Sequence, residues 1–185
     1  YLYARGELTG MLVGSATEEK ATTLLRDVQI QFEANQRWIN DFGEIRALTG
    51  WKAKHFETKD GVGFWAFGRG QSPRGVRLGA NRPNLGVLDD LDDKVIVRNR
   101  KRVQDAVQWC LEDFFGALTI GNARLIVAGN RIHQYSILAH LVGDVEPKDP
   151  KRPGICHIKV YATENARHGL SELENPKSKC AWSER

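Results

Sequence analysis

The sequence predicts an α/β fold with a central, mainly parallel sheet, and three observations carry that expectation. Two continuous apolar runs, Leu85–Leu88 and Leu125–Ala128, have the composition of strands buried on both faces. A stretch of helical periodicity joins them, the kind of crossover that parallel neighbours require. Strand-like and helix-like segments also alternate from Gly10 onward. The two runs are therefore expected as inner parallel strands, adjacent or separated by one strand, with helices on both faces of the sheet.

Each element has its own signal. Gly10–Ser15 (GMLVGS) reads as a short buried strand. Ser15 and Glu18 have the spacing of a capping box, so a helix is expected to start there. Ala21, Leu24, Leu25, Val28 and Phe32 recur at helical spacing and carry it to about Asn35. The runs KHFET and VGFWAFG flank Lys59–Gly61, and aspartate followed by glycine between two strand-like runs predicts a hairpin. The stretch GRGQSPRGVRLGANRP that follows is rich in Gly and Arg and reads as a loop. A long helix is expected over about Val95 to Phe115, with Val103, Ala106, Val107, Cys110, Leu111 and Phe114 on one face. Ser136 to Val142 reads as a short helix and Gly143 to Gly154 as a Pro- and charge-rich loop. Cys156 to Thr163 alternates like a strand, and 164–185 has little periodicity. The whole of 1–185 is read as one domain, and its start at Tyr1 in strand-like sequence as a fragment of a longer protein.

Composition narrows the function classes. With 41% hydrophobic and 27% charged residues, the chain is ordinary for a globular protein with a real core. A net charge of +4 permits contact with nucleic acid without demanding it. Three cysteines without CxxC spacing argue against a disulfide framework or a zinc site and suggest a reducing, cytoplasmic setting. No apolar run approaches the about 18 residues of a membrane span.

The stretch RPNLGVLDDLDD (Arg82 to Asp93) raises the functional question, because an apolar strand runs straight into like charges. One reading is a strand that ends at an acid-capped helix start, which the helix dipole favours. The other is a Walker B pattern, in which the first carboxylate, Asp89, helps hold Mg²⁺ and the second, Asp90, orients and polarises the attacking water. Leu125–Ala128 ends similarly in the polar turn Gly129–Asn130, and ligands in open parallel sheets sit outside the carboxyl ends of the strands. Arg69 or Arg74, in the Gly/Arg loop, would suit a phosphate, although no GxxxxGK[ST] loop occurs in the chain.

The order of these segments resembles the ATPase domain of the large terminase subunit of tailed bacteriophages, the motor that packages DNA into proheads. The anchors are SPRG followed by RPNLGVLDDLDD, then AGNRIHQYSILAHL, HIKVYA and WSER, so the resemblance covers nearly the whole chain. It implies a P-loop NTPase-like three-layer sandwich of the RecA/ASCE type, with ATP and Mg²⁺ as cofactors. Asp89 then matches the metal-holding carboxylate and Asp90 the catalytic one, where glutamate is common. Gly129 and Asn130 fall at the coupling motif that senses the γ-phosphate, where a small hydroxyl residue is frequent. Arg74 aligns with an arginine suited to act on a neighbouring subunit's nucleotide. The resemblance implies double-stranded DNA, the portal protein and the small terminase subunit as partners, a homo-oligomeric ring, and the host cytoplasm. It also places the Walker A loop ahead of the first strand and a nuclease domain after the WSER segment.

Two other readings use the same residues. One takes Asp89, Asp90, Asp92 and Asp93 as a two-metal nuclease site. The other is a non-catalytic domain of P-loop type that binds DNA or a partner protein. The five histidines show no ligand spacing, and Trp38, Trp51, Trp65 and Trp109 read as packing residues. The basic cluster Arg98 to Arg102 reads as the solvated face of a helix, with DNA contact as its functional alternative.

Overall fold

The computed structural model describes residues 1–47 and 50–145, all within one compact unit spanning Tyr1–Pro153. The loop beyond 145, the expected strand Cys156–Thr163 and the tail 164–185 lie outside the described residues. Five strands form one sheet: β1 (Gly10–Ser15), β2 (His55–Glu57), β3 (Gly63–Gly68), β4 (Leu85–Asp89) and β5 (Arg124–Ala128). Their order is β2-β3-β1-β4-β5. All neighbours run parallel except the β2–β3 hairpin, so the sheet is mixed and mainly parallel. The hairpin forms where Asp60–Gly61 predicts it, and Gly61 takes a φ of +76°, a conformation that glycine adopts without steric cost.

Helix α1 (Glu18–Ala34) covers one face. Ala21 and Leu25 are fully buried against Met11, Val13, Phe64 and Ala66, while Leu24, Val28 and Phe32 pack at the margin. Complete burial of a leucine such as Leu25 contributes about 1.5–3 kcal/mol. The N-cap differs from the expected one. Thr17, not Ser15, accepts from the Lys20 amide, and Ser15 is the last residue of β1. Asn35 ends α1 and caps α2 (Gln36–Phe42), a short helix with no buried residue and hence no apolar stripe to announce it.

The other face is covered by the segment after β4. The single long helix expected there is broken into a 3₁₀ turn at Ile96–Arg98, helix α3 (Arg100–Gln108), a π-helical turn at Trp109–Phe114 and a 3₁₀ turn at Phe115–Ala117. Asn99 causes the first break. It is extended, and its side chain caps α3 by accepting from the Arg102 amide. Val103, Ala106, Cys110 and Phe114 are buried as the periodicity requires, and Trp109, three residues after Ala106, joins them with its indole N–H donating to the Gln71 carbonyl at 2.6 Å. Phe114 packs into a notch of two glycines. A Cβ on Gly14 would lie 2.9 Å from its ring, and one on Gly86 3.0 Å from it. Burial pushes the Cys110 thiol up to about 12, with the negative charge of Asp92 adding to it, so this cysteine is a core residue and not a nucleophile.

Helix α4 (Ile137–Leu141) forms within the expected segment, with Ser136 as its N-cap. Strand β5 lies next to β4 and parallel to it, as expected. Among the described residues it is the sheet edge, and Ile126 is 53% exposed. Apolar composition records what a strand tolerates on its faces and cannot report which neighbours pair with it.

Asn84 fixes how β4 enters the sheet. Its side chain is fully buried, accepts from the Thr9 amide at 3.0 Å and donates to the Glu7 carbonyl at 2.7 Å. Its backbone bonds to Gly10 on one side and Arg124 on the other. Asn84→Ala would leave an amide and a carbonyl without partners, and the expected loss is about 2–3 kcal/mol in urea unfolding. A loss below about 0.5 kcal/mol would show that this clamp is not needed.

Candidate functional site at the carboxyl ends of β4 and β5

Gly68, Ser15, Asp89 and Ala128 form one rung across β3, β1, β4 and β5. Each is the last residue of its strand, so the rung is the carboxyl edge of the sheet. In such sheets polar residues at this edge are free to face a ligand, because the strand hydrogen bonds end there.

The four aspartates after β4 divide into two pairs. Asp92 accepts from the amides of Ile137 at 2.7 Å and Leu138 at 3.1 Å, and so caps α4 from outside its own chain segment. Asp93 accepts from the amides of Val95 and Ile96, both at 2.8 Å, and pairs with Arg69 at 3.0 Å. Partial burial by itself would raise the Asp93 carboxyl, but the Ile96 amide, the Arg69 guanidinium and the Val95 amide outweigh it and hold the group below the usual carboxylate range. The acid-capped helix start is therefore correct for Asp92 and Asp93.

Asp89 and Asp90 have no such duty. Asp89 is half-buried, and its side chain makes no hydrogen bond or ion pair among the described residues. Asp90 is the only non-glycine described residue with a positive φ, +46°, a conformation that its short polar side chain tolerates better than most. Its amide donates to the Ala128 carbonyl at 3.1 Å, which ties the turn after β4 to the end of β5. Gly129 follows directly, and a Cβ there would lie 3.9 Å from the Asp90 backbone. Gly129 and the exposed Asn130 line a crevice with Asp90 and Asp92 that holds about 10 Å³, room for about one water. The structure thus brings Asp89, Asp90, Gly129 and Asn130 to one edge.

Arg74 stands apart. Its guanidinium is exposed and pairs with Asp113 of the π turn at 2.6 Å. Arg69 is mostly buried and bonds the Leu91 carbonyl as well as Asp93, so it braces the turn after β4. Lys20, which sequence reasoning missed, reaches Asp90 at 3.3 Å from the first turn of α1. Its signal was readable: a crossover helix starts over the carboxyl edge of the strand before it, so a lysine in that first turn faces the same edge as the acidic pair.

The donor set fits a hydrated divalent cation. A free carboxylate beside a hydroxyl-bearing rung suits a hard ion such as Mg²⁺, which binds through one or two carboxylates and keeps several waters. Among the described residues no three His, Cys, Asp or Glu side chains converge, so such an ion would keep most of its shell. A triphosphate is not fitted by these residues alone. Glu18 and Glu19 occupy the first turn of α1, where a phosphate would otherwise find amides. No family model matches the chain, and no curated protein matches it.

The pH dependence of the Asp93 cap follows from the sign of its shift. A carboxyl held low in the folded state stabilises above the ordinary aspartate value of about 3.9, and the contribution disappears as pH falls through the folded value. Asp93→Asn keeps the cap acceptor and removes the charge facing Arg69. Its thermal midpoint should lie below that of the wild type at pH 7, with the gap closing below about pH 4. A gap that persists unchanged at pH 3 would refute the electrostatic account.

Proposed function

We propose that this chain is the body of a terminase-type DNA-packaging ATPase, with Asp89 as the cation-holding carboxylate and Asp90 as the catalytic one. The observation that supports this reading best is the release of these two aspartates from the capping that occupies Asp92 and Asp93. That same observation weakens a two-metal nuclease, which would need the carboxylates already bound to helix amides. Bound Mg²⁺ would supply charge neutralisation and a fixed water shell at Asp89. Asp90, directed off the strand by its left-handed backbone, would orient a water and accept its proton. Gly129 and Asn130 stand where a change at that water could pass to the turn after β5. The phosphates themselves need donors beyond the described residues.

Arg74, whose exposed guanidinium pairs with Asp113, suits an arginine presented to a neighbouring copy. The DNA reading draws on Arg98, Arg100, Lys101 and Arg102, all exposed around the start of α3. The helix dipole disfavours cations at that end, so helix stability does not explain them. Arg100 stacks 4.2 Å above the Tyr135 ring, which holds one of these charges in place. No helix among the described residues is long and apolar enough to cross a membrane.

The test is MgATP turnover by the full gene product that carries this chain. Asp90→Asn is expected to lower turnover by about 10²–10⁴-fold while nucleotide binding largely survives. Full hydrolysis by that variant would remove Asp90 from the chemistry and the Walker B reading with it. Duplex DNA affinity should be independent of sequence and fall with salt at a log–log slope of about −0.9 per phosphate contacted. Reversing Arg100 and Lys101 to glutamate should make that slope shallower. A slope unchanged by the reversal would place the DNA elsewhere.

A further inference from the structure

We propose that Ser15 is a positioning residue for Asp89: its hydroxyl, unpartnered among the described residues, turns to donate to the Asp89 carboxylate when a hydrated divalent cation binds there, and holds the carboxylate towards that ion. The inference rests on the reading of Asp89 as the cation-holding carboxylate and adds to it a residue on the neighbouring strand. Ser15 is 1% exposed, and its Oγ is a buried side-chain oxygen without a hydrogen-bond partner among the described residues. A buried hydroxyl left in this way costs stability, and an alanine would fill the same place without that cost.

The rung geometry gives the face on which the Ser15 side chain lies. Ser15 is in register with Gly68 on one side and Asp89 on the other, and residues of one rung in parallel strands share a face. A Cβ on Gly68 would lie 2.6 Å from the Glu18 amide nitrogen and 3.1 Å from the Thr17 carbonyl carbon. That face therefore looks onto the first turn of α1. The Ser15 side chain leaves β1 on this face, the Asp89 side chain leaves the neighbouring β4 on the same face, and paired strands run about 4.8 Å apart.

The two groups complement each other. Asp89 is a carboxylate with open acceptor positions among the described residues, and Ser15 is a donor with nothing to donate to. A carboxylate that holds a metal is commonly fixed by a hydrogen bond to its other oxygen, and removal of that bond costs about 10–100-fold in metal affinity. Lys20 pairs with Asp90 and not with Asp89, so Asp89 keeps its charge available.

The experiment titrates the chain with Mn²⁺ alone, followed by the electron paramagnetic resonance signal of the free ion, together with the thermal midpoint without metal. The wild type is expected to bind Mn²⁺ and Asp89→Asn to lose it. Ser15→Ala is expected to bind about 10–100-fold more weakly, with a metal-free midpoint equal to the wild type or higher. Ser15→Cys keeps the side-chain volume with a much weaker donor, and is expected to resemble Ser15→Ala in affinity. If Asp89→Asn loses Mn²⁺ while Ser15→Ala binds as the wild type does, the role of Ser15 is overturned and the reading of Asp89 stands. A lower metal-free midpoint in Ser15→Ala would also overturn it, because the hydroxyl would then serve the fold. If the wild type fails to bind, or Asp89→Asn binds equally well, the reading of Asp89 itself fails.

Discussion

Gly68, Ser15, Asp89 and Ala128 share one rung of the sheet, and the position of every group at the site follows from that alignment. Parallel register is set by the burial of alternate residues. Met11, Val13, Leu85 and Ala66 face α1, so a slip of one residue would turn all of them away from the core. With the register held, Asp89 has no freedom to retreat into the sheet or to move along it. The Phe114 ring in the glycine notch of β1 and β4 reinforces the same pairing from the opposite face. The site is in this sense a product of the core beneath it.

Four aspartates in five positions would repel one another if all four faced solvent together. The fold resolves this by giving each pair a different partner. Asp92 and Asp93 meet backbone amides at the starts of α4 and the 3₁₀ turn, where the partial positive charge of the amides favours them. Arg69 adds a full charge at Asp93 and ties it to the end of β3. The outer pair is thus neutralised by structure, and it anchors both segments that follow the inner pair. Among the described residues Asp90 is compensated by Lys20 alone, an exposed ion pair of small strength that an incoming cation or water can replace.

Much of the fold was legible because it rests on local chemistry. GMLVGS, the Asp60–Gly61 hairpin, the Gly/Arg loop and the Ser136-capped helix all carry signals that act within a few residues. The misreadings differ in cause: some depend on distant partners, and the helix break is a local cap masked by a continuing apolar period. Ser15 resembles a cap by spacing, but β1 extends through it because Asp89 and Gly68 pair with it. The helix after β4 breaks at Asn99 although its apolar period continues on either side. Strand β5 reads as inner from its composition and is an edge among the described residues. At the site, Asp89 and Asp90 stood out as an acidic pair. The separation of Asp92 from them was not legible, because its amide partners lie 45 and 46 residues away, whereas the Asp93 cap on Val95 and Ile96 is local and agrees with the acid-capped reading.

The charges around the rung also constrain the order in which ligands arrive. Glu18 is engaged by Lys54 and Gln71, and the Lys54 contact is the main reason its carboxyl is held low. Lys20 is engaged by Asp90. Glu19 and Asp89 have no cation beside them among the described residues, so the described part of the edge carries unbalanced negative charge. A negative edge draws divalent cations and repels a bare polyanion. Under the proposed function the nucleotide must therefore come already complexed with its metal, or find the metal in place. Asp89 then acts first as an electrostatic gate, and its role in catalysis follows from that. The same argument gives the orphan hydroxyl of Ser15 its place in the sequence of events. A carboxylate facing an approaching cation gains most from a neutral donor on its inner side, because a cationic partner there would cancel the attraction on which the edge depends.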